Sequence, residues 1–320
     1  MPPGAPEREL PSWTVPADAA GTRLDKFLAA PERLGSRQRA IEALDRGKVF
    51  VNRREAGGGD AGSRLRTGDV VGVWMDRPGS ARRPPPAEAG ELPILYEDSA
   101  VVVVNKPAGL LAVPLQQRSD APSAQAYVER HLRPGTRRRP LVVHRIDRDT
   151  SGIVVFAKSA RAQEQLKDQF ERREPERVYW AVVHGRPEPP AGDWCDRLTW
   201  DADRLLQTRA HPRDPKGKEA VSHYRVLETF SGAALVEIRL ETGKRNQIRI
   251  QAALRGHTLF GERLYVSRGH GPVSAPFGRQ ALHAYRLAFR HPVDGRQLAF
   301  EAPLPDDLLA LLVQLRGESS

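Results

Sequence analysis

Apolar residues follow two rhythms along the chain. From position 100 onward, short β-branched runs recur at 100–104, 141–143, 153–156, 178–183, 220–227, 234–240 and 285–289, and runs of this length between turn-forming residues predict strands. Elsewhere the spacing is helical: Ala162, Leu166 and Phe170 stand four apart within a helix expected over about 160–172, and another is expected over about 246–255, ended by Gly256. Many strands with few helices predict an α+β domain over 92–312, a large mixed, mostly antiparallel sheet flanked by helices. No repeat at solenoid or propeller spacing breaks this pattern.

Before position 77 the pattern is tighter. Leu24, Phe27 and Leu28 make one apolar face of a short helix that Thr22 can cap, and Ser36 can cap a second helix running to Gly47. Strands at 49–52 and within GDVVGVW, 68–74, complete a compact α+β unit over 15–76. The stretch 77–91, RPGSARRPPPAEAGE, has the composition of a semi-rigid linker. Residues 1–14 and 313–320 are polar or Pro-rich and read as loose tails.

Length agrees with this division, since 320 residues at about 150 per domain suggest two domains. No stretch approaches the roughly 20 apolar residues of a membrane span, and the first residues lack the regions of a signal peptide. The single cysteine, Cys195, cannot pair within the chain, which excludes a disulfide framework and any CxxC site. A cytoplasmic protein with no membrane partner is expected, with a monomer as the default state.

Charge narrows the partner. The chain carries 50 Lys and Arg against 40 Asp and Glu, a formal net charge of +10, and 42 of the basic residues are arginine. Such a balance favours a polyanion, and the planar arginine fork suits phosphates and base edges. Two clusters stand out: Arg37, Arg39 and Arg46 on the second N-terminal helix, and seven arginines between 130 and 148 against one acid, Asp147.

That acid lies in LVVHRIDRDTSGIVVFAKS, 141–159, a charged loop between two apolar strands. Loops held on rigid scaffolds concentrate catalytic side chains, although an aspartate between strands ordinarily makes a turn. By pattern alone Tyr179, on a strand apolar on both faces, reads as core, and His144 reads as a packed histidine that could also serve as a base. No closely spaced metal-ligand set, GxGxxG after a strand or GxxxxGK[ST] is present, so neither metal nor cofactor is expected.

HRIDRDTSG resembles the signature of the RluA-type pseudouridine synthases, which isomerise uridine in ribosomal and transfer RNA. Further landmarks follow in order: NKPAGL at 105–110, RVYWAVVHG at 177–185, ETGKRNQIR at 241–249, GERLY at 261–265 and ALHAYRLAFRHP at 281–292. Likewise RLDKFL, SR, GKVFVN and RTGDVV resemble the αL-type RNA-binding domain of a small-subunit ribosomal protein. The resemblance implies Asp147 as catalytic carboxylate, Arg249 as its ion partner and Tyr179 as the platform on which uracil stacks. His144, Arg145, Arg148, Asn246 and Gln247 would meet the flipped-out uridine or its backbone, and Arg37 and Arg39 would meet RNA through the N-terminal unit. Asp147 could attack the anomeric carbon or remove the neighbouring ribose proton; both routes stay open.

Three positions depart from the usual pattern: Asn246 and Gln251 where histidines are common, and Glu262 where aspartate is usual. Asn246 can cap the helix that carries Arg249. The expected partner is ribosomal RNA or the precursor large subunit, with transfer RNA as the alternative. A non-catalytic RNA-binding protein and a hydrolytic glycosidase using Asp147 and Asp149 are the remoter readings.

Overall fold

The computed structural model describes residues 11–45, 47–75, 92–114, 122–132, 139–201, 206–266 and 277–318. The expected linker at 77–91, Arg46, Arg133, Arg137 and Arg138 lie outside the described residues. Apart from two short segments, the chain divides into one compact unit ending at Arg83 and a larger one beginning at Pro84.

The smaller unit contains β1 (Ser12–Thr14), α1 (Leu24–Leu28), α2 (Arg37–Asp45), β2 (Val49–Val51), β3 (Arg54–Ala56) and β4 (Val70–Val73). Its sheet has the order β1-β4-β2-β3, antiparallel throughout. Leu24, Phe27 and Leu28 pack with Ala40 and Leu44 of α2 over Val49, Val71 and Val73. Ser36 caps α2 as expected, its Oγ accepting from the Arg39 N–H at 3.2 Å. Thr22 does not cap α1. Arg23 bridges Arg64 as an extended pair and Thr22 O accepts from Leu65 N–H, so the helix begins only at Leu24.

Both expected tails need correction. Ser12–Thr14 pairs with β4, because an edge strand tolerates polar residues that a central strand would exclude. At the other end a helix runs from Asp306 to Gly317, and the expected tail from 313 belongs to it, since its buried stripe runs through Leu308, Leu311, Leu312 and Leu315.

The larger unit runs β5 (Ile94–Glu97), β6 (Val101–Lys106), α3 (Ala124–Leu132), β7 (Leu141–Val142), β8 (Ser151–Ala157), α4 (Ala160–Glu171) and β9 (Glu176–His184). It continues with β10 (Ala191–Asp201), β11 (Leu206–Arg209), β12 (Lys218–Phe230), β13 (Ala233–Leu240), α5 (Gln247–Leu254), β14 (Leu282–Arg290), β15 (Gln297–Glu301) and α6 (Asp306–Gly317). One 11-stranded sheet follows the path β11-β10-β12-β13-β9-β14-β8-β6-β5, with β15 on β14 and β7 on β8. Only the β14–β8 pairing is parallel among those described, so the sheet is mixed and mostly antiparallel.

The two-residue period of the strands sorts its faces. Val102, Val104, Val154, Phe156, Tyr179 and Ala181 point into one core with α3 and α5. Val101, Val103, Ile153 and Val155 point to the other side, against α4, while the leucines of α6 cover Val182, Phe230 and Leu235. At the parallel contact β8 and β14 come so close that a Cβ on Gly152, φ +113°, would stand 2.2 Å from Ala284 O. Only glycine fits there.

Candidate active site

The residues between β7 and β8 form a loop tied down from several elements. Lys106, fully buried at the end of β6, donates from Nζ to the carbonyls of Pro107, Leu110 and Arg148 at 2.9–3.0 Å. Burial pushes its ammonium down to about 7, against the attraction of Asp149 and Asp147, while three carbonyl acceptors favour the charged form. Arg279 donates to the carbonyl of Asp149 and to Ser151 Oγ. His283 Nε2 lies 3.1 Å from Ala302 O and its Nδ1 2.9 Å from Ser151 Oγ. Burial holds this imidazole down at about 4, so Nε2–H donates to the carbonyl and the serine hydroxyl donates to Nδ1.

On that support the loop presents Asp147 to a cleft of about 720 Å³, lined also by Tyr179 from β9, Phe170 from α4, Asn246 and Arg249 around the start of α5, and Leu282 from β14. Asp147 and Arg249 lie 102 positions apart and meet here, Arg249 Nη1 donating to Asp147 Oδ2 at 3.3 Å. One-third of the Asp147 side chain stays accessible, against 13 % for Arg249. The rest of the guanidinium faces Glu262: Nε donates to Oε2 at 2.6 Å and Nη2 to Oε1 at 2.8 Å. Burial disfavours the Glu262 carboxylate, but the Arg249 hydrogen bonds and charge, with N–H donors from Leu264 and Tyr265, outweigh it and set its pKa below the usual range.

Tyr179 sits mid-sheet, opposite Ile238 on β13 and Ala284 on β14. Burial raises its hydroxyl to about 12, partly offset by Arg177, so at neutral pH it is a donor and not a base. His144 also lines the cleft, stacked on Phe170 at 4.8 Å with Nε2 accepting from Val155 N–H. Burial and the nearby Arg177 push it down to about 3, which removes it as a proton carrier. Arg145 is exposed at the cleft.

Other expectations are corrected by the geometry. Gln247 lines the cleft but is buried, and both its amide atoms serve the protein, accepting from Thr242 Oγ1 and Lys244 N–H and donating to Val221 O and Ser222 Oγ. Arg148 turns its Nε to Gly109 O and is not among the lining residues. Asn246 occupies the cap position of α5 in a left-handed conformation, φ +55°, yet makes no side-chain cap. Its Oδ1 accepts from Arg249 Nη1 at 3.0 Å and its Nδ2 donates to Tyr265 Oη at 3.1 Å. Gln251 is fully buried, bridging Ser222, Trp194, Asp196 and Ala220. In the smaller unit Arg37 is engaged with Asp25 at 2.9 Å, and Arg39 is exposed.

Lys106 and the clasp of Glu262 on Arg249 were not among the sequence expectations. For Lys106 a signal exists: Val102, Val104 and Lys106 share one strand face, so the lysine continues a buried stripe.

Comparison with known proteins places this geometry. Residues 100–254 match the family model described as RNA pseudouridylate synthase. A ribosomal large subunit pseudouridine synthase D from Vibrio cholerae is 35% identical over 96% of this chain and 95% of its own length. Its namesake from Xylella fastidiosa is 36% identical over 96% and 93%. Among solved structures, human RNA pseudouridylate synthase domain containing 4 superposes with a TM-score of 0.57, at 24% identity over 70% of this chain and 93% of that one, a likeness of fold.

Proposed function

The chain belongs to the RNA pseudouridine synthases, isomerases that convert uridine to pseudouridine, and on that premise we propose that it acts on large-subunit ribosomal RNA with Asp147 as its catalytic carboxylate. The observation that carries this reading is the state of Asp147: a partly accessible carboxylate on the wall of a cleft, held among the described residues by an ion pair to Arg249. The target follows the two bacterial relatives, whose names specify the ribosomal large subunit, and a ribosomal substrate carries with it a cytoplasmic site of action. The enzyme acts as a monomer.

The reaction is an isomerisation, so its atoms balance within one nucleotide. The bond from ribose C1′ to uracil N1 breaks, a bond from C1′ to C5 forms, and the proton displaced from C5 is matched by one gained at N1. Asp147 assists the first step, either by attacking C1′ or by removing the proton on C2′. Tyr179 offers a flat face on which the detached uracil turns, since stacking holds a base without fixing its rotation. Uridine stacked in RNA must first flip outward, at a few kcal/mol, and the exposed Arg145 at the cleft stands where it can meet the displaced strand.

The unit over 15–76 serves as an RNA-binding domain, with Arg39 among its contacts. Arg37, committed to Asp25, contributes through its remaining exposed edge, 61 % of its side chain. Deleting residues 1–90 is expected to raise the apparent KM for the natural RNA and leave kcat within a few-fold. Unchanged affinity would remove that role.

Reaction, target and residue are tested together by mapping pseudouridine in ribosomal and transfer RNA from cells lacking the protein, complemented with wild type or Asp147→Asn. One ribosomal site should vanish and return only with wild type. Restoration by Asp147→Asn would end the catalytic assignment, and loss of a transfer-RNA site instead would move the substrate.

A further inference from the structure

Arg177 lines the cleft from β9, two residues before Tyr179 on the same strand face and about 7 Å from it along the backbone. Its guanidinium is held by backbone groups. Nη2 donates to Glu241 O at 2.8 Å and to Leu240 O at 3.4 Å, while Nε is buried without a partner among the described residues. The Glu241 carboxylate beside that carbonyl is spent elsewhere, Oε1 accepting from Arg173 Nη1 at 2.6 Å and Oε2 lying 3.5 Å from His223 Nε2. No carboxylate among the described residues forms an ion pair with Arg177. The Phe170 ring lies 5.7 Å from its Cζ, and a Cβ on Gly243 would stand 2.6 Å from Nη1, so the glycine leaves the guanidinium its room. An aromatic face and two carbonyls thus fix the cation without cancelling its charge. That charge reaches the site, opposing the burial that raises the Tyr179 hydroxyl and adding to the burial that lowers His144.

A cation half withdrawn from water with no counterion costs free energy, and the cost is recovered where a negative charge arrives. Isomerisation moves one. When the C1′–N1 bond breaks, its electron pair stays on the base and spreads over N1, O2 and O4. If Asp147 attacks C1′, its carboxylate becomes a neutral ester; if it takes the proton on C2′, it becomes a neutral acid and a C1′–C2′ double bond forms. By either route one negative charge leaves Asp147 and appears on uracil. The charge returns to Asp147 as C5 bonds to C1′, after which C5 loses its proton and N1 gains one.

Resting on the reading of Asp147 above, we propose that Arg177 is a further catalytic residue: it contacts and stabilises the uracil anion while that base lies on Tyr179, between the bond that breaks and the bond that forms. Arg249 holds the carboxylate that gives up the charge, and Arg177 meets the base that receives it. A cation fixed in advance and aimed at a developing charge raises kcat more than affinity. A phosphate of the RNA strand is the rival source of anionic oxygen, and a contact with it would act on binding instead.

The test uses the full-length protein in excess over a transcript spanning the ribosomal site mapped above, made with uridine or with 5-fluorouridine, and follows consumption of the target nucleoside. Fluorine at C5 withdraws electrons and makes the base a better leaving group, so its departure needs the cation less. Arg177→Met should lower the saturating rate on uridine at least about 100-fold, with the half-saturating concentration within about threefold. Its loss on 5-fluorouridine should be at least about fivefold smaller. Arg177→Lys keeps the charge without the planar fork and should lose about tenfold on uridine, less on 5-fluorouridine. A wild-type rate in Arg177→Met would overturn the proposal. So would a raised half-saturating concentration with an unchanged rate and a shallower salt dependence, the mark of a phosphate contact. An equal loss on both bases marks a structural role and would overturn it too; if Arg177→Met does not fold by circular dichroism, that comparison in Arg177→Lys decides the matter. A wild-type protein that converts no uridine in any ribosomal transcript would instead count against the function proposed above.

Discussion

Asp25 in the smaller unit and Asp147 in the larger are each paired with arginine, and the pairs have opposite characters. Asp25 is buried and receives Arg23 Nε and Nη2, Arg37 Nε and the backbone N–H of Lys26, all at 2.8–3.1 Å. The Arg23 hydrogen bonds lead in holding its carboxyl below the ordinary carboxylate range. Asp147 receives one nitrogen at 3.3 Å and faces a cleft. A carboxylate whose lone pairs are all engaged locks α1 to α2. One left with lone pairs facing a pocket has something to offer a substrate.

The contrast makes unequal predictions. Asp147→Asn should reduce pseudouridine formation by about 10⁴-fold while the melting temperature holds, and an active Asn variant would erase the distinction. Lys106 is saturated like Asp25, so Lys106→Met should act first on stability: three carbonyls lose their donor, and denaturant titration should show a loss of about 3 kcal/mol.

The buried His283 brings pH into the comparison. Its folded pKa, about 4, lies below the unfolded value of 6.5, so the unfolded chain binds the extra proton in that window. Stability is full above pH 6.5 and falls as pH drops toward 4, by up to about 3 kcal/mol. Thermal melts at pH 7 and pH 4 should show the drop, and His283→Gln should reduce it, leaving the share of the buried His144, whose imidazole is held lower still, at about 3. Smallest is Asp25→Asn, expected to loosen the first unit by about 2 kcal/mol, since both released arginines can turn to water; proteolysis of that unit would register it, with kcat unchanged.

Much of the sheet was legible because its central strands are uniformly β-branched, as in 101–104 and 153–155. Ala191–Asp201 was not, since AGDWCDRLTWD mixes charges into a strand whose burial alternates. The short α3 escaped for want of a full apolar repeat, and α6 was cut where its exposed face reads as tail. At the site, HRIDRDTSG and its companions point to Asp147, Tyr179 and Arg249 together by resemblance and not by pattern. What resemblance could not give was the division of labour among polar side chains. Gln247 and Asn246 are adjacent in sequence, yet one is consumed by the scaffold and the other braces Arg249. Such assignments depend on which lone pairs remain after folding, a property of three-dimensional neighbours.

The tight passage of Gly152 against Ala284 has a temporal meaning. The loop bearing Asp147 is synthesised early, but Arg249, Arg279 and His283 that hold it arrive about a hundred residues or more later. Contacts of such separation form late and slowly. Fragments ending before Leu282 therefore lack His283 and the strand that carries it, and they should form no pseudouridine in RNA. The loop that carries Asp147 thus gains its full support only when synthesis of the chain has nearly finished.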